Sequence, residues 1–235
     1  MYKRQCIRDR TYGVPFVWGP NPLLYDTSAF AQAPDSWSIL WDPKFKGKIS
    51  LWDELSSVYM AAQVLGYDKP DPNQLYNLSD EQLEAVKKKL IELKPNIRKY
   101  WSTGGELTNL FQNHEIIAAM GWPLMTNQLR KLNYPIGETI PKENTTGWID
   151  HLMITAASAH KELAQAFLEY MVEPQTQKLV TDVTHYTPVS YTHLDVYKRQ
   201  PILTLILPGP PVTFPSKPSL KPGLQFRPRR GASPL

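Results

Sequence analysis

The alternation of hydrophobic and polar positions divides residues 11–189 of this 235-residue chain into short strands and amphipathic helices. Runs of β-branched and aromatic residues bounded by Gly or Pro predict strands at 13–18, 23–25, 48–52, 116–120, 135–140 and 147–154. Apolar residues at helical spacing predict helices at 36–41, 53–66, 79–94, 103–113, 122–132, 160–172 and 174–183. This order predicts an α/β domain with a largely parallel or mixed sheet that helices cover on both faces.

Two of the predicted helices carry specific expectations. Ser79 and Gln82 have the spacing of a capping box, in which each side chain satisfies a backbone N–H group near the other. The helix at 160–172 is expected to turn four apolar or aromatic side chains towards the interior: Leu163, Ala166, Phe167 and Tyr170.

Three segments are candidates for a ligand site, because ligands of open α/β sheets bind at the carboxyl ends of strands. They are residues 52–54, 121–122 and 148–150, each of which follows or closes a predicted strand. Alternation along a strand places Trp148 and Asp150 on the same face. An indole face attracts an ammonium group by about 0.5–2 kcal/mol, and a charge-assisted hydrogen bond to a carboxylate adds about 1.5–3 kcal/mol. Trp122 could form the opposite wall of such a site.

The other candidate residues have a functional and a structural interpretation. Asp53 and Glu54, at a strand-to-helix junction, could neutralise a second amine or could simply favour the helix dipole. An acid pair formed by Asp53 or Glu54 with Asp150 keeps a glycosidase-like hydrolase open as an alternative. His185 and Tyr186 could be site residues or packing residues.

Both ends of the chain differ in character from the middle. The tetrapeptide Tyr-Lys-Arg-Gln occurs at residues 2–5 and again at 197–200, and the stretch 190–200 resembles translated adapter or assembly sequence. Residues 1–10 and 190–235 are therefore interpreted as artefacts and excluded from fold reasoning. Residues 201–235 contain nine Pro, which predicts a disordered tail.

The charge and the motifs limit the classes of function. The net charge of +4 comes from the two ends, whereas residues 11–190 carry 15 basic and 20 acidic side chains. An acidic core suits a cationic ligand, so a nucleic-acid partner is not expected. The chain has one Cys, no phosphate-binding glycine loop, no nucleophile elbow and no paired His. No cofactor, metal site or enzymatic activity is therefore expected, and neither a signal peptide nor a run of 18 apolar residues is found.

An ordered set of motifs runs through the whole of residues 11–189. It begins with Tyr12-Gly-Val-Pro-Phe-Val-Trp-Gly19, Leu24-Tyr25-Asp26, Ser36-Trp37 and Leu40-Trp41-Asp42-Pro43-Lys44-Phe45-Lys46-Gly47-Lys48-Ile49-Ser50. It continues with Leu65-Gly66-Tyr67, Met120-Gly121-Trp122, Gly147-Trp148-Ile149-Asp150 and His185-Tyr186-Thr187-Pro188. This set resembles the spermidine/putrescine-binding family of solute-binding proteins, the extracytoplasmic receptors of ABC importers.

The resemblance implies a periplasmic-binding-protein-like (type II) fold with two α/β lobes that close around the solute. Residues 11–189 would be the second, C-terminal lobe with a crossover strand, and most of the first lobe would be absent. The implied partners are a small cationic solute and the membrane subunits of an ABC permease. The implied protein is a monomer, either in a periplasm or anchored outside a membrane, and the fragment would be impaired in binding.

The resemblance also implies roles for individual residues. Trp122 and Trp148 would pack against the solute, Asp150 would bind its amine, and Glu54 falls where a second ligand acid is often found. Ser57 stands where the polyamine receptors often carry another acid. The solute thus stays open between a polyamine such as spermidine or putrescine, another amine, an opine-like compound and a metal complex. The family's site tyrosine could correspond to His185 or to Tyr186.

Overall fold

The structure, a computed structural model, describes residues 13–188. Its strands are β1 (Val14–Pro20), β2 (Leu23–Asp26), β3 (Ile49–Trp52), β4 (Ile97–Trp101), β5 (Ala118–Met120), β6 (Ile136–Thr139), β7 (Gly147–Leu152) and β8 (Thr187–Pro188). Its α-helices are α1 (Leu55–Val64), α2 (Asp80–Leu93), α3 (Gly104–Gln112), α4 (Pro123–Lys131), α5 (Lys161–Met171) and α6 (Pro174–Thr184). The segment 36–41 forms a 3₁₀ helix, Trp37–Trp41, and α2 begins with the expected capping box. The interpretation of residues 1–10 and 190–235 lies outside the described residues.

The larger sheet has five strands in the order β4-β3-β5-β2-β6. β3 runs parallel to both of its neighbours, β4 and β5, whereas β2 runs antiparallel to β5 and β6. The expected mixed α/β architecture is therefore confirmed. Because β3, β4 and β5 share one direction, their carboxyl ends lie along one edge of the sheet, where ligands of such sheets bind.

Helices cover both faces of this sheet. Successive side chains along a strand point to opposite faces, so apolar neighbours in β2 give each face its own core. Leu23 joins the core on one face together with Trp37, which is fully buried. Leu24, the next residue, joins the core on the other face together with Phe111. Successive residues of β2 thus anchor two separate apolar layers.

A smaller antiparallel sheet places β1 between β7 and β8. Only Asn21 and Pro22 separate β1 from β2, so the chain passes from one sheet to the other within two residues. The Asn21 N–H donates to the Thr146 carbonyl at 3.0 Å, and its side-chain amide donates to Thr146 Oγ1 at 2.9 Å. Thr145 Oγ1 donates to the Asn21 carbonyl at 2.5 Å. We call Asn21, Thr145 and Thr146 the joint between the sheets.

Asp26, the last residue of β2, is a buried carboxylate with three hydrogen-bond donors. Tyr134 donates its hydroxyl to Oδ2 at 2.7 Å, and Ser28 donates its N–H and its hydroxyl to Oδ1 at 2.8 and 2.6 Å. Burial opposes ionisation of Asp26, but these hydrogen bonds outweigh it, so its pKa is lowered.

The expectation that α5 turns its apolar side chains inward is wrong. Leu163, Phe167 and Tyr170 expose 65%, 56% and 53% of their surface, and Ala166 is exposed as well. None of the α5 residues is buried. The helix pattern itself is present, but among the described residues the main neighbour of α5 is α6 rather than a strand of either sheet.

Two strands were missed by the sequence analysis. β4 is an edge strand whose middle residues, Arg98, Lys99 and Tyr100, are all exposed. Its side chains therefore do not alternate between apolar and polar, which is the signal that predicts a half-buried strand. β8 has only two residues and pairs with β1.

Candidate functional site

Three indole rings meet at the carboxyl ends of β3, β4 and β5. Trp52 and Trp101 close β3 and β4 as partners in register, and Trp122 lies two residues after the end of β5 as the N-cap of α4. The rings of Trp52 and Trp101 stack, with centroids 5.2 Å apart and 6° between their planes. Trp122 stands edge-on to both, at 4.9 and 5.2 Å. These are favourable aromatic geometries, so the stacked pair fixes the orientation of Trp122.

Two tryptophans of this cluster bury an indole N–H that has no acceptor. The Nε1 atoms of Trp101 and Trp122 are buried without a hydrogen-bond partner, and so is that of Trp148. Trp37 shows the usual arrangement, because its Nε1–H donates to the Asn144 carbonyl at 2.8 Å. An unpaired buried donor costs about 1–3 kcal/mol, so the indole cluster carries a cost that the Trp37 site does not.

The residues at the start of α1 have identified structural roles. Glu54 is the N-cap of the helix, and its Oε2 accepts from the N–H and the hydroxyl of Ser56 at 2.8 Å each. Ser57 is buried and donates its hydroxyl to the Trp52 carbonyl at 2.6 Å. Asp53 is exposed, and its charge raises the pKa of Tyr100, second to the effect of burial. Glu54 and Ser57 thus support the junction between β3, which ends at Trp52, and α1.

The second group of candidate residues contains Trp148, Asp150 and Tyr186. The Tyr186 ring meets the Trp148 ring edge-on at 4.5 Å, with 77° between the planes. Burial, and then the charge of Asp150, raises the pKa of Tyr186 to about 12. Tyr186 therefore stays neutral near pH 7, and Asp150 is an exposed carboxylate beside it. His185 is exposed and ends α6 in a left-handed conformation with φ of 59°.

The position expected for Trp148 and Asp150 needs a correction. They were expected at the carboxyl end of a sheet strand together with Trp122, but Trp148 is the second residue of β7, in the smaller sheet. The joint nevertheless links the two groups. The Gly121 N–H, next to Trp122, donates to the Pro22 carbonyl at 3.0 Å, and Pro22 follows the joint residue Asn21. Both groups are thus attached to the link between β1 and β2.

Sequence reasoning missed the contribution of Trp101, because it missed β4. The three-way ring packing could have been suspected only after Trp101 had been placed at the end of a strand parallel to β3. With that strand in place, the carboxyl-end rule selects Trp101 for the same reason as Trp52.

Other features of the described residues lie apart from these groups. A shallow groove of about 220 Å³ lies between α1 and α2, and its lining includes Val58, Leu90 and Lys94. Within residues 13–188, no cluster of three or more metal-ligating side chains occurs. Over the same residues, every helix is too short or too polar to cross a bilayer.

Comparison with known proteins identifies one family and several relatives. The family described as bacterial extracellular solute-binding protein has a sequence model that matches residues 2–204. The spermidine/putrescine-binding periplasmic protein of Escherichia coli K12 is 28% identical over 179 residues, which cover 74% of this chain and 49% of the relative. The gamma-aminobutyric acid-binding protein of Pseudomonas aeruginosa is 24% identical over 177 residues, with coverages of 74% and 49%.

A solved structure shows the same fold. The substrate-binding protein PotD of a spermidine/putrescine ABC transporter from Streptococcus pneumoniae superposes with a TM-score of 0.64 at 22% identity. The match covers 76% of this chain and 53% of that protein. The chain therefore spans about half the length of the curated relatives that it matches.

Proposed function

Because the chain belongs to the family of bacterial extracellular solute-binding proteins, we propose that it is part of the receptor of an ABC importer for a small cationic solute. The solute is a polyamine such as spermidine or putrescine, and the receptor hands it to the permease without chemical change. The receptor acts in the periplasm or anchored outside a membrane. Its periplasmic-binding-protein fold is shared with the PotD structure, and the family is one of transport receptors rather than enzymes.

The observation that carries this proposal is the grouping of Trp148, Tyr186 and Asp150. An exposed carboxylate lies beside a neutral phenol and an indole ring that pack against each other. This combination suits an ammonium group, because the carboxylate can accept a charge-assisted hydrogen bond and the rings can pack on the attached alkyl chain. Trp122, held edge-on by two other indoles, supplies a second apolar wall.

The acids at the start of α1 take a smaller part in the proposed site. Glu54 is engaged in capping the helix, and Ser57 donates its hydroxyl to a backbone carbonyl. Asp53 is exposed and contributes negative charge that attracts a second amine of the solute. His185 takes no direct part, because Tyr186 is the residue that contacts Trp148.

This half of the receptor is expected to bind weakly. A cation–π contact contributes about 0.5–2 kcal/mol and a charge-assisted hydrogen bond about 1.5–3 kcal/mol. Association costs about 4–15 kcal/mol in lost translational and rotational freedom. The two contacts together contribute at most about 5 kcal/mol, and the association cost brings the net gain below the 4.1 kcal/mol that corresponds to a Kd of about 1 mM, so we expect a Kd weaker than about 1 mM.

Nuclear magnetic resonance detects binding in this range. The seven Trp give seven indole N–H resonances, which are followed in a ¹⁵N-labelled chain while spermidine or putrescine is added. We expect the resonances of Trp148 and Trp122 to shift with millimolar amine. Asp150→Asn should weaken this response, because it removes the carboxylate charge.

The matched control is Glu84→Gln, which removes an acid that pairs with Lys87 on the surface of α2. This variant should respond to the amines like the unchanged chain. An equal loss of response in both variants would show that only net charge matters. The proposal is wrong if neither amine shifts these indole resonances.

A second candidate is a receptor of the same fold for an amine that also carries a carboxylate. It is favoured by Ser57, which stands where the polyamine receptors often carry an acid, and by the name of the P. aeruginosa relative. Titration of 4-aminobutyrate beside putrescine separates the two, because these molecules have the same carbon chain length. A stronger response to 4-aminobutyrate would select the second candidate.

A further inference from the structure

The strand β4 ends the larger sheet, and one side of it is free. β4 pairs with β3 on its inner side, and within residues 13–188 no other strand pairs with it. The Trp101 carbonyl points towards β3, because it accepts the N–H of Asp53, which follows β3. Over residues 99–101, where the pairing is regular, backbone groups alternate between the two sides of the strand. The N–H and C=O groups of Tyr100 therefore lie on the free edge.

The charged side chains of β4 are balanced by acids of the protein itself. Charged residues on an edge strand often block its pairing with a further strand. Here the Arg98 guanidinium lies 2.8 Å from the Glu115 carboxylate, and Lys99 pairs with Glu106. These two cations therefore oppose a further strand less than unpaired cations would.

An apolar groove adjoins this edge. The lining residues Val58, Leu83, Leu90, Ile91, Lys94 and Tyr100 define what we call the α1–α2 groove. Leu83, Ile91 and Tyr100 expose 43%, 50% and 44% of their surface. A free strand edge beside an apolar groove suits an extended peptide, because its backbone can pair with the strand while every second side chain enters the groove.

The charges at the groove favour an acidic occupant. Lys87 and Lys94 are the charged residues in its lining. Lys87 pairs with Glu84 at 3.1 Å, whereas Lys94 forms no ion pair within residues 13–188. Residues 1–10 and 191–235 of this chain each carry more basic than acidic side chains, so neither end complements Lys94. A separate acidic chain therefore fits this groove better.

We propose that the edge of β4 and the α1–α2 groove together dock an extended segment of a partner protein. Every second side chain of this segment is apolar, and an acidic side chain stands at the end of that row. The backbone of the segment pairs with β4, its apolar side chains enter the groove, and its carboxylate lies beside Lys94. The docking site uses none of the residues of the proposed solute site, so it does not depend on which solute binds.

Amide exchange in the 235-residue chain tests the proposal with a synthetic peptide. The probe is acetyl-Glu-Thr-Ile-Thr-Ile-Thr-Glu-amide, which places an acid at the groove end for either direction of the strand. We expect saturating peptide to slow the exchange of the Tyr100 amide at least about tenfold, because a paired N–H opens less often. The Trp101 amide, which already faces β3, should change little. The basic control, with Lys in place of both Glu, should bind more weakly.

Three variants separate the groove from the rest of α2. Lys94→Glu should weaken binding of the acidic peptide about two- to fivefold, because it reverses the charge beside the peptide carboxylate. Its matched control is Lys88→Glu, the same change at an exposed position of α2 outside the groove, which should bind like the unchanged chain. Ile91→Asp should abolish the Tyr100 protection, because it places a charge in the apolar groove. Unchanged exchange of the buried residues of α3 shows that this variant is folded.

Several results would overturn the proposal. They are an unprotected Tyr100 amide in the presence of the acidic peptide, equal binding of the acidic and basic peptides, or equal weakening by Lys94→Glu and Lys88→Glu. Protection of the Tyr100 amide that rises with the concentration of the chain alone would also overturn it, because the edge would then pair with a second copy of this chain.

Discussion

Replacing Trp101 tests whether the indole cluster has the energetics that its geometry implies. Trp101 is fully buried, stacks on Trp52 and contacts Trp122 edge-on, yet its N–H has no acceptor. Trp101→Ala removes both ring contacts and leaves a cavity, which costs about 3–5 kcal/mol. Trp101→Phe keeps a ring and removes the unpaired donor, so its lost packing is offset by about 1–3 kcal/mol.

The matched comparison is Trp37→Phe. Trp37 is also fully buried, but its N–H donates to the Asn144 carbonyl, so the substitution removes a hydrogen bond that is made. Urea unfolding followed by circular dichroism gives the free energy of unfolding of each variant. We expect Trp37→Phe to cost about 1–3 kcal/mol more than Trp101→Phe. The reasoning is refuted if Trp101→Phe destabilises the protein as much as Trp37→Phe or Trp101→Ala does.

Three further predictions concern single groups. Because the folded pKa of Asp26 is lowered, its ionisation stabilises the fold above the unfolded pKa of about 3.9, and this contribution is lost as the pH falls through the lower folded pKa. Asp26→Asn should therefore reduce the loss of unfolding free energy that urea denaturation shows at acidic pH. An unchanged loss would contradict the lowered pKa of Asp26. Asp150→Asn should lower the pKa of Tyr186 from about 12 in an ultraviolet titration, because the charge of Asp150 is, after burial, the second cause of the raised pKa. An unchanged pKa would show that Asp150 lies too far from Tyr186 to affect its ionisation. Gly121→Ala should lower the free energy of unfolding in urea by about 1–3 kcal/mol, because the new Cβ would collide with a leucine methyl group of β2. Its control is Gly105→Ala, because there is open space around Gly105. Equal effects of the two substitutions would show that the packing around Gly121 is not rigid.

Most of the secondary structure follows from local patterns. The Ser79 capping box, the start of α4 and the short apolar runs of β2 and β3 all lie where the sequence predicts them. These signals involve residues close together in the chain, so a single sequence contains them. β4 lacks such a signal because Arg98 and Lys99 face solvent at the sheet edge.

The arrangement of the site depends on long-range pairing and was predictable only in part. The sequence selected Trp122, Trp148 and Asp150 from their places along the chain, but the stacking of Trp101 on Trp52 requires the parallel pairing of β4 with β3. The exposed face of α5 shows the opposite failure. Its periodicity is correct, but periodicity states only that a face is made for burial, and it does not identify the polypeptide that buries it.

The joint at Asn21 has a mechanical consequence. Asn21 connects β1 to the larger sheet, and Thr145 and Thr146 lead from that sheet into β7. These two segments are joined by hydrogen bonds to the backbone N–H, the carbonyl and the side-chain amide of Asn21. A rotation of one sheet against the other must strain these bonds together, since they converge on a single residue. These hydrogen bonds would therefore break cooperatively, and the two sheets would have few stable relative orientations between the fully bonded and the fully separated state.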